Sequence, residues 1–309
     1  MGSLITSATP LRISFIGGGT DFKEFYEKKD CFGMVISTAI NLKTYCFFKE
    51  KNNLNLKIDK FFFDNDFQST NIYKKFISFC RRNKIKKKYD VIFYCDIPNG
   101  SGLGTSSSYI LSLLKAFYQE NKIKINKSKI IEQSNYFESK MLKRPIGMQD
   151  AWGSEINGIK KITFKKKKIS FIKINNLKFI SFVNNKLFLY PVNYFVSNDL
   201  ILKNIKKNIN KNIKILQSMN SLTQQAYRAI KFNKFEYFLE ILRKSHDLKS
   251  KYTNGVTNKK IENLFSFLIK KKMRPLKILG AGGRGYILFY CKNKKNLKKL
   301  NYLDFKVYR

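Results

Sequence analysis

The stretch PNGSGLGTSSS, at residues 98–108, is the part of the sequence that decides the fold. It follows residues 89–96, where β-forming side chains predict a strand, and it opens residues 106–121, where apolar spacing predicts a long helix. Glycines at 100, 102 and 104 allow the backbone to approach a ligand closely. The N–H groups and the dipole at a helix start favour an anion. This glycine loop therefore predicts a cradle for phosphate groups, with a flexible Gly/Ser loop as the alternative.

Hydroxyl side chains crowd the glycine loop and narrow the kind of phosphate site. Ser101, Thr105, Ser106 and Ser107 add hydrogen-bond donors, and one of them could ligate magnesium. A Walker-type loop is excluded because the chain has no GxxxxGK[ST] pattern. A dinucleotide-binding turn is excluded here as well, because the GxGxxG spacing fails in this loop.

Two further glycine clusters lie beside predicted strands. The first is in RISFIGGGTDF, at residues 12–22, and the second is LGAGGRGY, at residues 279–286. We call residues 17–21 the N-terminal glycine turn and residues 279–286 the C-terminal glycine turn. The chain has only 16 glycines, and a shared active site would explain their concentration in three places. Ordinary hairpins are the alternative for either turn alone.

Two carboxylates between these segments are candidates for the chemistry. Glu138 lies on a predicted helix at residues 127–140, and Asp150 follows a turn that contains Pro145 and Gly147 and starts a new helix. Across that turn the two acids could face one phosphate, one holding magnesium and the other orienting an acceptor hydroxyl. The alternative is that Asp150 caps its helix and Glu138 is solvated.

The remaining segments predict a mixed chain of strands and helices. Strands are predicted at residues 11–16, 34–49 and 54–58, and a helix at 72–83. Residues 159–189 predict several short strands, residues 197–272 predict two or three helices, and residues 286–291 predict a closing strand. No Pro/Ser linker or internal repeat divides the chain, so a boundary near residue 175 is soft.

Composition limits the class of protein. With 309 residues and 43% hydrophobic side chains, the chain is expected to be globular. No run approaches the roughly 18 apolar residues of a membrane span, and the N-terminus lacks a signal-peptide pattern, so we expect a cytoplasmic protein without a membrane partner. Its five cysteines form no CxxC pair, and a single histidine, His246, excludes a metal centre built from several histidines.

The formal net charge of +40 raises the alternative of a nucleic-acid-binding protein. The lysines are spread over predicted turns and helix surfaces along the whole chain, which favours compositional drift and no specific nucleic-acid partner. A general positive field would still attract anionic substrates.

Taken in order, the three glycine segments resemble the motifs of the GHMP kinases. That family has an N-terminal strand and turn, a P-x-x-x-G-L-G-S-S loop and a C-terminal glycine turn. Residues 246–265, HDLKSKYTNGVTNKKIENLF, also resemble the helical segment before the third motif. The resemblance covers most of the chain and implies an α+β GHMP kinase fold. It would comprise a ribosomal-S5-like N-terminal domain that binds ATP, at residues 1–175, and a ferredoxin-like C-terminal domain, at residues 176–309.

The sequence GGGTD in the N-terminal glycine turn resembles the D-glycero-D-manno-heptose 7-phosphate kinases and the related fucokinase-type sugar kinases. The resemblance implies an ATP-dependent sugar kinase of carbohydrate metabolism. Its expected reaction phosphorylates the anomeric hydroxyl of heptose 7-phosphate to the 1,7-bisphosphate for nucleotide-activated heptose synthesis. The alternatives are an L-fucose or other sugar 1-kinase, and a non-catalytic sugar-binding regulator on the same fold. A homodimer is a further expectation.

The resemblance also implies site residues. Asp150 matches the catalytic base and Arg12 a catalytic residue near the acceptor, while Thr105 and Glu138 match the ligands of Mg²⁺. The implied ATP-binding residues are Pro98, Gly100, Ser101, Gly102, Leu103, Gly104, Thr105, Ser106 and Ser107. The implied substrate-binding residues, for a sugar or sugar phosphate, are Arg12, Gly18, Gly19, Thr20, Asp21, Gly282, Gly283 and Arg284.

Two departures from the family pattern lie on the expected acceptor side. The heptose kinases have G-G-K-Q-D-Q where this chain has IGMQDA at residues 146–151, and G-A-G-G-G-G-F where this chain has Arg284 and Tyr286. Both changes bear on the choice of sugar more than on phosphoryl transfer. Arg284 is expected either to grip a phosphate of the acceptor or to point into solvent.

Overall fold

The computed structural model describes residues 4–50, 66–87, 89–192, 198–252, 255–298 and 300–309. The strands are β1 (Ile5–Ile16), β2 (Gly33–Glu50), β3 (Tyr89–Cys95), β4 (Ile159–Lys165), β5 (Lys168–Lys173), β6 (Leu187–Val192), β7 (Arg274–Ile278) and β8 (Gly285–Tyr290). The helices are α1 (Lys23–Tyr26), α2 (Asp66–Arg82), α3 (Thr105–Glu120), α4 (Lys127–Tyr136), α5 (Gln149–Glu155), α6 (Leu177–Lys186), α7 (Asn198–Lys207), α8 (Ile213–Lys231), α9 (Phe235–Tyr252) and α10 (Lys259–Lys270). The strand predicted at residues 54–58 lies outside the described residues.

The first sheet is organised around the long strand β2. One edge of β2 pairs antiparallel with β1 over its length. The other edge pairs with β4 through residues 33–38 and with β3 through residues 44–50, and β5 continues the sheet beyond β4. Helix α3 packs on β1 and β2. The end of β3 pairs with β2 at Thr44, and the glycine loop that joins β3 to α3 bonds to β1 through the Arg12 N–H and Leu103 O.

The second sheet has the antiparallel order β6-β8-β7. Helices α8 and α9 pack against each other, α9 on β7 and α8 on β2. The chain end then returns to both sheets, because Leu303 bridges Leu189 and Val307 bridges Ile40. The expected mixture of strands and helices is confirmed, and the two sheets, both antiparallel, are tied by helices and by the returning tail.

The prediction of several short strands over residues 159–189 is wrong in part, because helix α6 separates β5 from β6. The Asn176 side chain caps α6 by accepting a hydrogen bond from the Phe179 backbone N–H. Phe179, Ile180 and Val183 then face the core at helical spacing. The expected boundary near residue 175 falls between β5 and α6 and stays a prediction.

The helix predicted over residues 127–140 changes its winding before it ends. Helix α4 continues into a π-helical turn at Phe137–Met141, and this turn carries Glu138. Such turns insert one extra residue into a helix and re-aim the side chains that follow. Glu138 is fully buried, so the alternative of a solvated carboxylate is wrong.

A cluster of aromatic rings fills the space between α2, α3 and the first sheet. Phe117 lies at its centre, in edge-to-face contact with Phe76 and Phe79 at centroid distances of 5.6 Å and with Tyr89 at 6.2 Å. Phe117 is fully buried. The cluster fixes α3, and therefore the glycine loop, on the sheet.

We expect Phe117→Ala to lower the free energy of unfolding by about 3–5 kcal/mol, because a large buried ring leaves a cavity that the surrounding residues fill only partly. Urea unfolding followed by circular dichroism measures the change. Phe232→Ala is the matched control: Phe232 is 64% exposed, so its loss should change stability by less than about 0.5 kcal/mol. Equal losses in the two variants would contradict a central role for this cluster.

Candidate active site

The glycine loop adopts backbone angles that suit an anion site. Gly100, Gly102 and Gly104 have φ values of 77°, 76° and 77°, in the left-handed region that favours glycine. Gly104 is also the N-cap of α3, and no side chain caps this helix start. The N–H groups of the first turn are therefore directed into the loop, as the phosphate-cradle prediction requires.

The structure brings the three glycine segments together. A side chain on Gly102 would meet Leu279 O at 2.7 Å, and Gly280 and Gly285 approach the glycine loop as closely. From the N-terminal strand, Arg12 donates from Nη1 to Gly102 O at 2.7 Å, and Leu103 O accepts from the Arg12 backbone N–H at 2.9 Å. Ordinary, independent hairpins do not describe these turns.

Asp150 lies in the first turn of α5, where Arg12 fixes its orientation. Arg12 Nη2 and Nε donate to Asp150 Oδ1 at 2.8 and 3.1 Å. The Arg12 side chain is 5% exposed and that of Asp150 is 28% exposed. The carboxylate is thus held by a buried cation at the glycine loop while part of it stays accessible. Asp150 does not cap α5, since it lies inside the helix.

Asp21 is buried and organises the N-terminal glycine turn. Its carboxylate accepts from the backbone N–H groups of Gly19 and Gln149, at 3.0 and 3.1 Å. A side chain on Gly147 would overlap this carboxylate. Burial, and after it the charge of Asp150, raises the pKa of Asp21 to about 6. Asp21 therefore ties the turn to the start of α5.

Two other predicted substrate residues complete this turn. The Thr20 hydroxyl donates to Gly17 O at 2.8 Å and accepts from the Met34 N–H at 3.0 Å, which locks the turn onto β2. Gly18 is half-buried and lies beside the Gln149 side chain. The structure thus groups residues 18–21 with Gln149 and Asp150.

Glu138 lies under the start of α3, with its carboxylate held by serine hydroxyls. Ser106 Oγ donates to Glu138 Oε2 at 2.6 Å, and Ser107 Oγ donates to Oε1. Burial raises the pKa of Glu138, and the nearby positive charge of Arg144 opposes this. Thr105, the predicted partner of Glu138, instead lines a cavity at the end of β3. Neighbouring residues on a helix point about 100° apart, so the hydroxyl of Ser106 contacts Glu138 where the sequence placed that of Thr105; the metal ligands themselves stay a prediction.

A divalent metal ion would fit Ser106 and Glu138 only if further oxygen ligands came from outside this pair of side chains. Within the described ranges, no group of three or more acidic, histidine or cysteine side chains could hold a metal ion. Mg²⁺ characteristically uses one or two protein oxygens and completes its shell with phosphates and water. The hydroxyl of Ser106 and the carboxylate of Glu138, at the start of α3, match that kind of site.

Arg144 is a site residue that the sequence did not reveal. Its Nη1 donates to Ser106 Oγ and lies 3.8 Å from Glu138 Oε2. Its backbone N–H donates to Glu138 O at 3.0 Å, so the turn after the π-helical segment places it. In the sequence, Arg144 is one of 61 lysines and arginines, and nothing marks it as a site residue until the fold is known.

The C-terminal glycine turn lies against the glycine loop more than against residues 18–21. The guanidinium of Arg284 lies next to Gly100. Gly283 donates from its N–H to Val256 O at 3.0 Å, and Gly282 packs on the same residue. Arg284 therefore lies at the loop predicted to hold ATP and does not point away into solvent, while its predicted contact with the acceptor stays a prediction.

A cavity of about 190 Å³ opens beside the glycine loop, between the end of β3 and the first turns of α3. Its lining combines apolar rings with a few polar groups, as a site for a planar aromatic ligand would. The lining residues are Thr44, Tyr94, Cys95, Asp96, Ile97, Pro98, Asn99, Thr105 and Tyr109.

Comparison with known proteins confirms the resemblance seen in the sequence. Residues 71–158 match the family described as GHMP kinases N terminal domain, and this match includes the glycine loop, Glu138 and Asp150. A relative named D-glycero-alpha-D-manno-heptose 7-phosphate kinase, from Campylobacter jejuni, is 25% identical over 306 residues, which cover 93% of this chain and 89% of the relative.

Solved structures share the fold over the whole chain. A D-glycero-D-manno-heptose 1-phosphate kinase from Bacteriodes thetaiotaomicron superposes with a TM-score of 0.74 at 19% identity, covering 99% of this chain and 96% of that one. A mevalonate kinase from Methanococcus jannaschii superposes with a TM-score of 0.68 at 19% identity, covering 100% and 99%. The expected GHMP kinase fold is confirmed.

The burial of Asp21 predicts a particular dependence of stability on pH. Because its folded pKa is raised, the folded protein holds this proton more tightly than the unfolded chain does. The resulting stabilisation is complete below pH 3.8, the ordinary pKa of an aspartate, and is lost as the pH rises through about 6. We expect the difference in free energy of unfolding between wild type and Asp21→Asn to fall by about 3 kcal/mol over that interval. Urea unfolding across the interval tests this; parallel pH profiles of the two proteins would contradict it.

Proposed function

We propose that this chain, which carries a GHMP kinase N-terminal domain in a GHMP kinase fold, is an ATP-dependent sugar kinase. Its proposed acceptor is the anomeric hydroxyl of D-glycero-D-manno-heptose 7-phosphate, and its product is the 1,7-bisphosphate. The acceptor is supported by the name of the Campylobacter jejuni relative, which aligns with nearly the whole chain. The reaction type is supported by the geometry of the site.

The observation that carries the proposal is the position of Arg12 between the glycine loop and Asp150. One guanidinium donates to Gly102 O and to Asp150 Oδ1, at 2.7 and 2.8 Å. A carboxylate able to orient a hydroxyl is thereby fixed at the mouth of a phosphate cradle. Phosphoryl transfer needs little more from a protein than such positioning and neutralisation of charge.

ATP fits the glycine loop and the neighbouring cavity. The phosphates would lie on the backbone N–H groups at the start of α3, and the base would occupy the cavity beside Tyr109. Ser106 and Glu138 would hold Mg²⁺, which supplies positive charge to the phosphates when bound. Arg144, next to Ser106, adds a second cation on the same side.

Asp150 would act on the acceptor hydroxyl. Its partly exposed carboxylate can accept a hydrogen bond from the hydroxyl, and take its proton, while Arg12 holds Oδ1 in place. Asp21 keeps the N-terminal glycine turn against α5, so that residues 18–21 border the acceptor. Because Asp150 and Asp21 are acidic, the negative charge of the phosphates would be neutralised by the start of α3 and the nearby cations.

The test is a screen of ATP consumption with heptose 7-phosphate, unphosphorylated heptose, L-fucose, galactose, mannose and mevalonate. We expect the highest kcat/KM with heptose 7-phosphate. We expect Asp150→Asn to lower kcat by roughly 10²–10⁴-fold and to leave nucleotide binding unchanged, because a positioned base is lost. A preference for fucose would favour the sugar 1-kinase alternative. Binding of sugars without turnover of any would favour a sugar-binding regulator and contradict the proposal.

A second experiment tests the revised metal pair. Ser106→Ala and Glu138→Gln should each raise the Mg²⁺ concentration required for half-maximal activity, and their effects should be non-additive because both touch one ion. Thr105→Ala is the matched control from the next position of α3, and its Mg²⁺ titration should stay near that of wild type. The opposite order, with Thr105 decisive and Ser106 neutral, would restore the assignment made from the sequence.

Location and assembly stay predictions. Among the helices that the structure describes, none has the length and apolar character to cross a membrane. We retain the cytoplasm as the expected location, and a homodimer as the expected assembly.

A further inference from the structure

Helix α9 turns a polar, buried face toward the candidate site from the C-terminal half of the chain. Lys249 and Tyr252 lie one turn apart on this face, and their residues are 8% and 4% exposed. Polar side chains are rarely buried to this extent without a purpose that offsets the cost. Both residues lie in residues 246–265, which resemble the helical segment before the third motif, but nothing in the sequence assigned either of them a role.

The hydroxyl of Tyr252 lies against the N-terminal glycine turn. It occupies the place where Gly19, at a φ of 98°, would carry a side chain. Among the residues that the structure describes, this buried hydroxyl has no hydrogen-bond partner. Burial, and after it the charge of Asp21, raises the pKa of Tyr252, so the phenol stays protonated and able to donate. A donor held without an acceptor beside residues 18–21 indicates an oxygen supplied from outside the protein.

Lys249 places a positive charge on the same buried face of α9 as Tyr252. Its Nζ donates to Gly280 O in the C-terminal glycine turn at 2.5 Å. Burial lowers its pKa to about 8, while the charges of Asp21 and Asp150 act to raise it, so both carboxylates lie within its electrostatic reach. The Lys249 side chain is therefore mostly protonated at neutral pH, and its positive charge favours an anionic ligand beside the N-terminal glycine turn.

We propose that α9 forms one wall of the acceptor site, in which the Tyr252 hydroxyl donates a hydrogen bond to an oxygen of the acceptor and Lys249 favours acceptors that carry a phosphate. This inference rests on the proposed kinase function and goes further by assigning acceptor recognition to the C-terminal half. The half-buried Gly18 and the partly exposed Asp150 mark where the acceptor would enter.

The test removes only the hydroxyl, with Tyr252→Phe. Because this hydroxyl has no partner in the ligand-free protein, its loss should leave the Tm unchanged or raise it. The KM for heptose 7-phosphate should rise roughly five- to tenfold, the KM for ATP should stay the same, and the thermal shift caused by the acceptor alone should shrink. A purely structural role predicts the reverse: a lower Tm with unchanged acceptor KM.

Tyr89→Phe is the matched control, because the Tyr89 hydroxyl donates to Asn121 Oδ1 at 3.0 Å in the aromatic cluster. It should lower the Tm and leave the acceptor KM unchanged. If wild type is active and Tyr252→Phe binds and uses the acceptor as wild type does, the inference is wrong and the proposed function stands. If wild type uses no sugar at all, both fall together.

Lys249→Gln separates the charge from the hydrogen bond, since the amide can still donate to Gly280 O. Its KM for heptose 7-phosphate should rise roughly tenfold, while its KM for unphosphorylated heptose should change much less. Equal rises for the two sugars would show that Lys249 only positions the C-terminal glycine turn, and would overturn its part in choosing a phosphorylated acceptor.

Discussion

The Arg12 side chain is charged and only 5% exposed, and the segments around it are arranged to accommodate it. Its guanidinium bonds to the glycine loop and to Asp150, which offsets the loss of hydration that burial imposes. Its aliphatic stem passes so close to Gly104 and Gly153 that side chains there would come within 2.9 and 3.1 Å of Arg12 Cγ. The glycine loop, α5 and the central strands therefore have one relative arrangement that satisfies this cation.

Those parts of the fold and site that depend on local chemistry could be predicted from the sequence. Clustered glycines and acidic residues beside a turn can be recognised in the sequence without knowledge of the fold. Helix α6 was mistaken for strands because Phe179, Ile180 and Val183 are strong β-formers whose helical spacing is visible only over a short window. Asn176, its N-cap, was the signal that could have corrected the assignment.

The rest of the site depends on which distant segments meet. Whether Thr105 or Ser106 faces Glu138 is set by the angle at which α3 leaves the glycine loop, and that angle depends on packing in the aromatic cluster. The Tyr252 hydroxyl lies against Gly19, which is far away in the chain, and no sequence spacing connects the two residues. In the sequence, nothing separates Lys249 and Arg144 from the other lysines and arginines, because what distinguishes them is the contacts that they make in the folded chain.

The direct backbone contact between Gly102 and Gly280 has a consequence for how the protein reaches its native state. Contacts between residues far apart in a chain close large loops, so they carry a high entropic cost and form late and slowly. The glycine loop gains one of its supports only when the second sheet has docked. Nucleotide affinity should therefore appear at the end of refolding, after most secondary structure, and a fluorescent ATP analogue would report completion of the whole chain.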